Sequence, residues 1–343
     1  MFTHVVFNNY RALRDAELRL GRFTLLIGPN GSGKSTAFDA LRSLRNIDTH
    51  RCDHANLVSA DLRAQDASAQ GVSIEVRWHE VQAVHRVCIR WTPSSQRKVE
   101  IGPVPQSGTV LSGEDGRFRA ALAGIRHFSL QAEGILQPNE LLPGELELTE
   151  QGVGLARALD QLRDKHPERF EALNEELNAW FPEFDRFLFD TPRQGARSFQ
   201  LRTSDSKQPI AASDLSHGML LALAILFLRH SPVRPSLICM EEPDRGLHPR
   251  LLRRVADALF ALSQPRSDAL DASPTQVLVT SHSPYFLDLF RDRPECVVIA
   301  EKAGIYATFK QLSRHPHITE ILGDAPLGEV WYSGVLGGVP EPR

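Results

Sequence analysis

Apolar positions come in short runs from the start of the chain, which predicts strands before any helix. Residues 3–7, 16–20 and 23–27 read as three strands, with a polar turn at 8–15 between the first two. The spacing becomes helical from Lys34 to about Asn46, and the polar, Ala-rich residues 47–71 read as an insertion. Val72, Ile74, Val76 and Trp78 then alternate with polar residues, as do Val87, Ile89 and Trp91, and residues 98–101 add a third strand to this antiparallel outgrowth. A Pro/Gly/Ser-rich loop is expected at 102–116, a strand returning to the main sheet at 125–130, and a connector at 137–152. From Val153 to Trp180 the pattern is helical, with Phe170, Leu173, Leu177, Trp180 and Phe181 on one face and Pro167 near a helix start. That aromatic stripe reads as core. Short strands at 184–189 and 198–202 belong to the same lobe.

The last part of the chain alternates strand and helix. An apolar helix at 219–228 precedes a buried strand at 236–240, and Pro249 opens a helix whose apolar face is Leu251, Leu252, Val255, Leu259 and Leu262. Residues 276–280 form a further buried strand. Such alternation implies a mostly parallel sheet, so the fold class is α/β.

Composition narrows the picture without deciding it. With 42% hydrophobic and 24% charged residues, the 343-residue chain reads as an ordinary globular protein, one large domain or two intimate lobes. A net charge of −3 gives no global case for nucleic-acid binding and leaves room for a local basic face. Cys52, Cys88, Cys239 and Cys296 lack metal-type spacing and read as buried thiols of a reducing compartment. No signal-peptide pattern or membrane-length apolar run is present, so a cytoplasmic protein off the membrane is expected.

The chemistry starts at Gly28-Pro29-Asn30-Gly31-Ser32-Gly33-Lys34-Ser35-Thr36. A glycine-rich loop between a buried strand and a helix presents backbone N–H groups and a helix start to a polyphosphate. Lys34 supplies charge at the β and γ positions, and the Ser35 hydroxyl suits Mg²⁺. The cofactors expected are a nucleoside triphosphate and Mg²⁺. Glu241 and Glu242 end the buried strand at 236–240: Glu241 is placed for the metal shell, Glu242 to orient or deprotonate the attacking water. His282, just after the strand at 276–280, reads as a γ-phosphate sensor, and Gln131 as a further member of the metal shell.

These motifs occur in the order of ABC-type ATPases: phosphate loop, Leu215-Ser216-His217-Gly218 before an apolar helix, Glu241-Glu242-Pro243-Asp244-Arg245-Gly246-Leu247-His248-Pro249, and Thr280-Ser281-His282-Ser283. The chain resembles the RecF/SMC-like and OLD-like branch, specifically stand-alone AAA_21-type ATPases, over residues 1 to about 312. The resemblance implies an ABC-ATPase head, with a nucleotide-binding core at 1–46 and 214–312, a β outgrowth at 72–131 and an inserted lobe at 150–213. It further implies a homodimer closing around ATP, with Ser216 and Gly218 of one copy meeting the nucleotide of the other, Glu242 as catalytic carboxylate and His282 as switch. Glu241 where aspartate is usual, His217 where glycine is common and Met219 where glutamine or glutamate is common are departures. The function implied is an ATP-hydrolysing switch acting on DNA or a partner protein, in DNA repair or anti-phage defence. The alternative is the ATPase subunit of a toxin–antitoxin-like or nuclease complex with a small effector protein. The long interval between Lys34 and Leu215 speaks against a transporter subunit. The tail at 313–343, with Trp331, Tyr332 and Leu336 among glycines, either docks a partner or packs on its own head.

Overall fold

The computed structural model describes residues 1–45, 72–79, 84–91, 97–103, 115–137, 139–140, 147–192, 196–264, 274–304, 306–318, 320, 323 and 325–337. The insertion expected at 47–71, most of the loop at 102–116 and Cys52 lie outside them. The elements begin with β1 (Phe2–Tyr10), β2 (Leu13–Arg19), β3 (Phe23–Ile27), α1 (Lys34–Arg45), β4 (Val72–His79), β5 (Val84–Trp91), β6 (Arg97–Pro103), α2 (Asp115–Ala123) and β7 (Ile125–Phe128). Next come α3 (Ala132–Leu136), β8 (Asn139–Glu140), α4 (Leu155–Lys165), α5 (Pro167–Trp180), β9 (Phe184–Asp190), β10 (Ala196–Thr203), β11 (Pro209–Ala211) and α6 (His217–His230). The chain then forms β12 (Leu237–Glu241), α7 (Pro249–Leu262), β13 (Gln276–Ser281), α8 (Pro284–Asp288), β14 (Val297–Ala303), β15 (Tyr306–Gln311) and α9 (Leu327–Tyr332).

Contacts divide the chain into two units, one of Met1–Arg126, Pro235–Cys239 and Thr275–Arg343, the other of His127–Arg234 and Met240–Pro274. The helix after Ser216 and the turn after Glu242 belong to the second of these units.

The first unit holds a five-stranded antiparallel sheet ordered β2-β1-β4-β5-β6. The outgrowth thus continues from the N-terminal hairpin: Val5 lies between Leu18 and Val76, and Phe7 between Ala16 and Ile74. A register shift between Phe2 and His4 lets Phe2 and Val5, three positions apart, both face inward. The second sheet is ordered β15-β14-β3-β13-β12-β7, with β13 and β14 parallel to β3. Phe38, Leu41 and Leu44 of α1 share one core with Phe2, Phe7 and Phe118. Helix α2, which supplies Phe118, had no sequence forecast; a single aromatic and Leu122 are its large buried anchors.

One polar side chain ties the two sheets of this unit. Gln276 is buried at the start of β13; its Oε1 accepts from the Phe2 N–H (2.6 Å), and its Nε2 donates to the carbonyls of Phe2 (2.7 Å) and Gly21 (2.9 Å). The amide stands in for a strand neighbour, satisfying β1 backbone groups buried at the junction. At the other end of the chain, Leu327, Trp331 and Leu336 are buried, and the Gly328 N–H donates to Asp288 of α8 (2.7 Å). Trp331 and Leu336 thus pack on their own unit, while Tyr332 and Val335 stay exposed.

In the second unit α6 is apolar almost all round and buried from Leu220 to Leu228. Asn174 of α5 accepts from the Phe187 N–H of β9 (3.0 Å), and Phe170 packs on Phe187 and Phe189, confirming the stripe as core. Buried Asp160 of α4 meets Arg197 of β10 and Arg163, each at 2.7 Å. Among the described residues no helix is long and apolar enough to cross a membrane.

Replacing Gln276 with Leu leaves buried Phe2 groups and the Gly21 carbonyl short of partners. We expect unfolding free energy to fall by about 2–4 kcal/mol, read as a lower urea midpoint with an unchanged slope.

Candidate nucleotide site

The phosphate loop leaves the fully buried β3 and feeds α1, the strand–loop–helix order its motif requires. Gly33 has φ +87°, a conformation costly for any residue with a Cβ, and a Cβ there would stand 3.0 Å from Leu13 and Ala307 side-chain atoms. The loop is therefore seated against the β1–β2 turn and the start of β15. Lys34 is buried, its Nζ donating to the Gly28 and Pro29 carbonyls at 2.8 Å each and reaching Ser32 Oγ at 3.4 Å. The side chain curls back under the loop instead of extending into solvent. Ser35 is exposed and Thr36 half-buried, both at the open start of α1.

β13 runs beside β3 in parallel, placing Ser281 opposite Ile27, the residue before Gly28. His282 follows, half-buried, in the same unit as the loop. Its backbone is held by a turn: Ser281 Oγ accepts from the Ser283 N–H (2.9 Å), and Ser283 Oγ caps α8 through the Phe286 N–H (3.3 Å). Lys302, on the other neighbour of β3, was missed by sequence reasoning. Its Nζ lies 3.8 Å from where a Cβ on Gly31 would be, a second cation at the loop. Its only sequence signal is its place just beyond the apolar run at 297–300.

The second unit brings two other motifs together. Ser216 caps α6, its Oγ accepting from the Met219 N–H (3.2 Å), and stays exposed. Gly218 is buried against the turn after β12: a Cβ there would stand 2.5 Å from the Gly246 carbonyl oxygen. Glycine is thus required by close approach, and the pattern Ser-x-Gly acquires a steric reason. Glu241 ends β12, half-buried. Glu242 has φ +44°, an uncommon left-handed conformation for a non-glycine residue and a recurrent mark of functional turns. The Arg245 N–H closes this turn onto the Glu242 carbonyl (3.0 Å). Gln131 is exposed at the start of α3, its N–H bonded to the Gln151 carbonyl (3.1 Å).

The side chains expected at the metal carry the donor type that a hard cation takes. Ser35, Glu241 and Gln131 all offer oxygen, and among the described residues no three His, Cys, Asp or Glu side chains converge as a preformed cage. Mg²⁺ characteristically binds through few protein oxygens plus phosphate and water.

The matches to known proteins agree with this geometry. The family model described as "AAA domain, putative AbiEii toxin, Type IV TA system" matches residues 125–288, and an "AAA ATPase domain" model matches residues 1–98. The chain is 22% identical over 358 residues to the OLD nuclease of Thermus scotoductus, an alignment covering 88% of this chain and 64% of that protein. The SMC head domain from Thermotoga maritima superposes with a TM-score of 0.54 at 13% identity, covering 90% of this chain and 98% of that one. An SMC head bound to the C-winged helix domain of ScpA gives 0.61 at 14% identity, covering 93% and 99%. The fold is that of an SMC head, a P-loop ATPase architecture with a mostly parallel central sheet and accompanying antiparallel strands. Two ATPase-domain models thus match successive parts of a chain whose motifs stand in the order seen in ABC-type ATPases.

Gly218→Ala forces the Gly246 turn to retreat. The expected cost is about 1–3 kcal/mol, with faster amide hydrogen exchange at residues 244–247 and no change in the exchange of α1.

Proposed function

We propose that the protein binds ATP with Mg²⁺ and hydrolyses it, using the cycle to close head-to-head with a second copy and act on DNA in genome maintenance or defence against invading DNA. The observation that carries this reading is the phosphate loop with Lys34 curled beneath it, on the strand next to the one that ends before His282. The loop N–H groups and Lys34 hold the β- and γ-phosphates. By the family likeness, Ser35, Glu241 and Gln131 would hold the metal, which when bound supplies positive charge at the phosphate oxygens. Glu242 takes or orients the proton of the attacking water, and His282 faces the γ-phosphate. Ser216 and Gly218 serve the nucleotide of the second copy, since an exposed serine-capped helix start is an anion site looking for an occupant. This head-to-head arrangement comes from the family likeness.

A second reading is the ATPase subunit of a toxin–antitoxin-like or nuclease complex. It draws on the description of the matching family model and on the OLD nuclease relative, of whose length this chain spans 64%. The two readings part on DNA.

Lys34→Ala is expected to weaken ATP binding about a hundredfold or more, the scale of removing one partner of a desolvated charge contact; equilibrium binding with retained affinity would refute the loop assignment. Glu242→Gln is expected to keep ATP binding while kcat falls roughly 10²–10⁴-fold. Its mass in solution is expected to double with Mg–ATP. A monomer under those conditions counts against the two-copy site, and normal turnover counts against Glu242 as base.

A further inference from the structure

Helix α7 carries its charges in an unexpected place. A helix start is electropositive and favours acids, yet the first turn of α7 holds none and its first two turns present Arg250, Arg253 and Arg254. At i, i+3 and i+4 these share one face. Leu252, Val255, Ala256 and Leu259 are buried on the other side, so packing fixes the arginine face outward. All three arginines are exposed, and none forms an ion pair with any described residue. In a chain of net charge −3, this is a concentrated positive patch.

The patch lines a cleft of about 830 Å³ formed within the second unit. Ser216, Gly218 and Met219 bring a second helix start to the same cleft, and Trp180 and Pro182 form part of its wall. That wall is anchored from behind. Burial pushes the Glu176 carboxyl up, but hydrogen bonds from His230 and Trp180 and the Arg229 charge outweigh it and hold the group below the usual carboxylate range. Glu183 and Asp257 are the acids among the lining residues, fewer than the arginines. A single γ-phosphate at Ser216 would neither fill this volume nor neutralise three guanidinium groups. A chain of phosphates would do both, with Arg250 meeting one and Arg253 and Arg254 the next along the groove.

We propose that this cleft binds the phosphodiester backbone of a nucleic acid through Arg250, Arg253 and Arg254. The proposal rests on the reading that the protein acts on DNA, and gives that reading a place on the molecule. Contacts of this kind position a nucleic acid without reading its sequence.

The test is fluorescence anisotropy with a short labelled DNA duplex, and with one of its strands alone, across about 50–200 mM salt. The full-length protein is compared with Arg253→Gln/Arg254→Gln and Arg253→Lys/Arg254→Lys. The glutamine pair is expected to bind about 10- to 100-fold more weakly and to lower the log–log salt slope by about 2, close to one per lost phosphate contact. The lysine pair is expected to keep most of the affinity and the slope. ATP binding, measured separately, reports that both variants are folded. Equal affinity and slope in the glutamine pair overturn this site while leaving the DNA reading standing. If the unaltered protein shows no salt-dependent DNA binding, the DNA reading itself fails. If the glutamine pair keeps DNA but loses ATP-dependent dimerisation, the arginines serve the second copy's nucleotide and the nucleic-acid site is overturned.

Discussion

An ammonium group taken out of water must be surrounded by oxygen, and the first unit is arranged around meeting that requirement at Lys34. The carbonyls of Gly28 and Pro29 receive it, which fixes the path of the phosphate loop from beneath. The loop can take that path only where nothing crowds Gly28 and Gly33. A Cβ on Gly28 would stand 2.4 Å from the Ala300 carbonyl oxygen, so β14 sets one boundary while Leu13 and Ala307 set the other. The loop is thus shaped by strands from both ends of the chain before any ligand arrives. Preorganisation of this kind lets binding free energy act on the nucleotide rather than on ordering the protein.

The second unit follows a similar logic with different atoms. There the constraint is the close approach of two backbones at Gly218 and Gly246, which locks the serine-capped start of α6 to the turn following Glu242. A displacement of the turn must move the helix start with it. The motif around Ser216 and the motif around Gly246 therefore form one mechanical piece, although each is short and separately placed in sequence.

Much of this was legible in the sequence because the signals were local. A buried strand, a glycine loop and a helix in direct succession can be read without knowing what packs around them, and the same holds for a histidine after an apolar strand. What escaped depends on partners far away in the chain. Gln276 looks like a polar residue at a strand edge, and only the position of Phe2 reveals why it is buried. The pairing of β1 with β4 was hidden because alternation reports a strand's faces and not its neighbour. Helix α2 was missed because few of its residues carry large apolar side chains. Helix α7 was read from its leucines alone, and its arginines gained meaning only when the structure set them beside Ser216. The Leu-Ser-His-Gly motif could be recognised, but its assignment to the same unit as the helical lobe depends on contacts that no spacing reports.

The interleaving of the units has a consequence for how the protein is made. The hydrogen bonds between Phe2 and Gln276 join residues 274 positions apart. β3, which delivers the phosphate loop, lies between β13 and β14, both far downstream. During synthesis, the loop's own segment leaves the ribosome early and must wait for the strands on either side of it. The apolar β3 spends that interval without its final neighbours, a prolonged exposure characteristic of parallel sheets with distant pairings. A nascent chain interrupted before residue 276 would carry the entire phosphate-loop motif yet lack the walls that seat it. Translation itself thereby orders events so that the nucleotide pocket is among the last parts to mature.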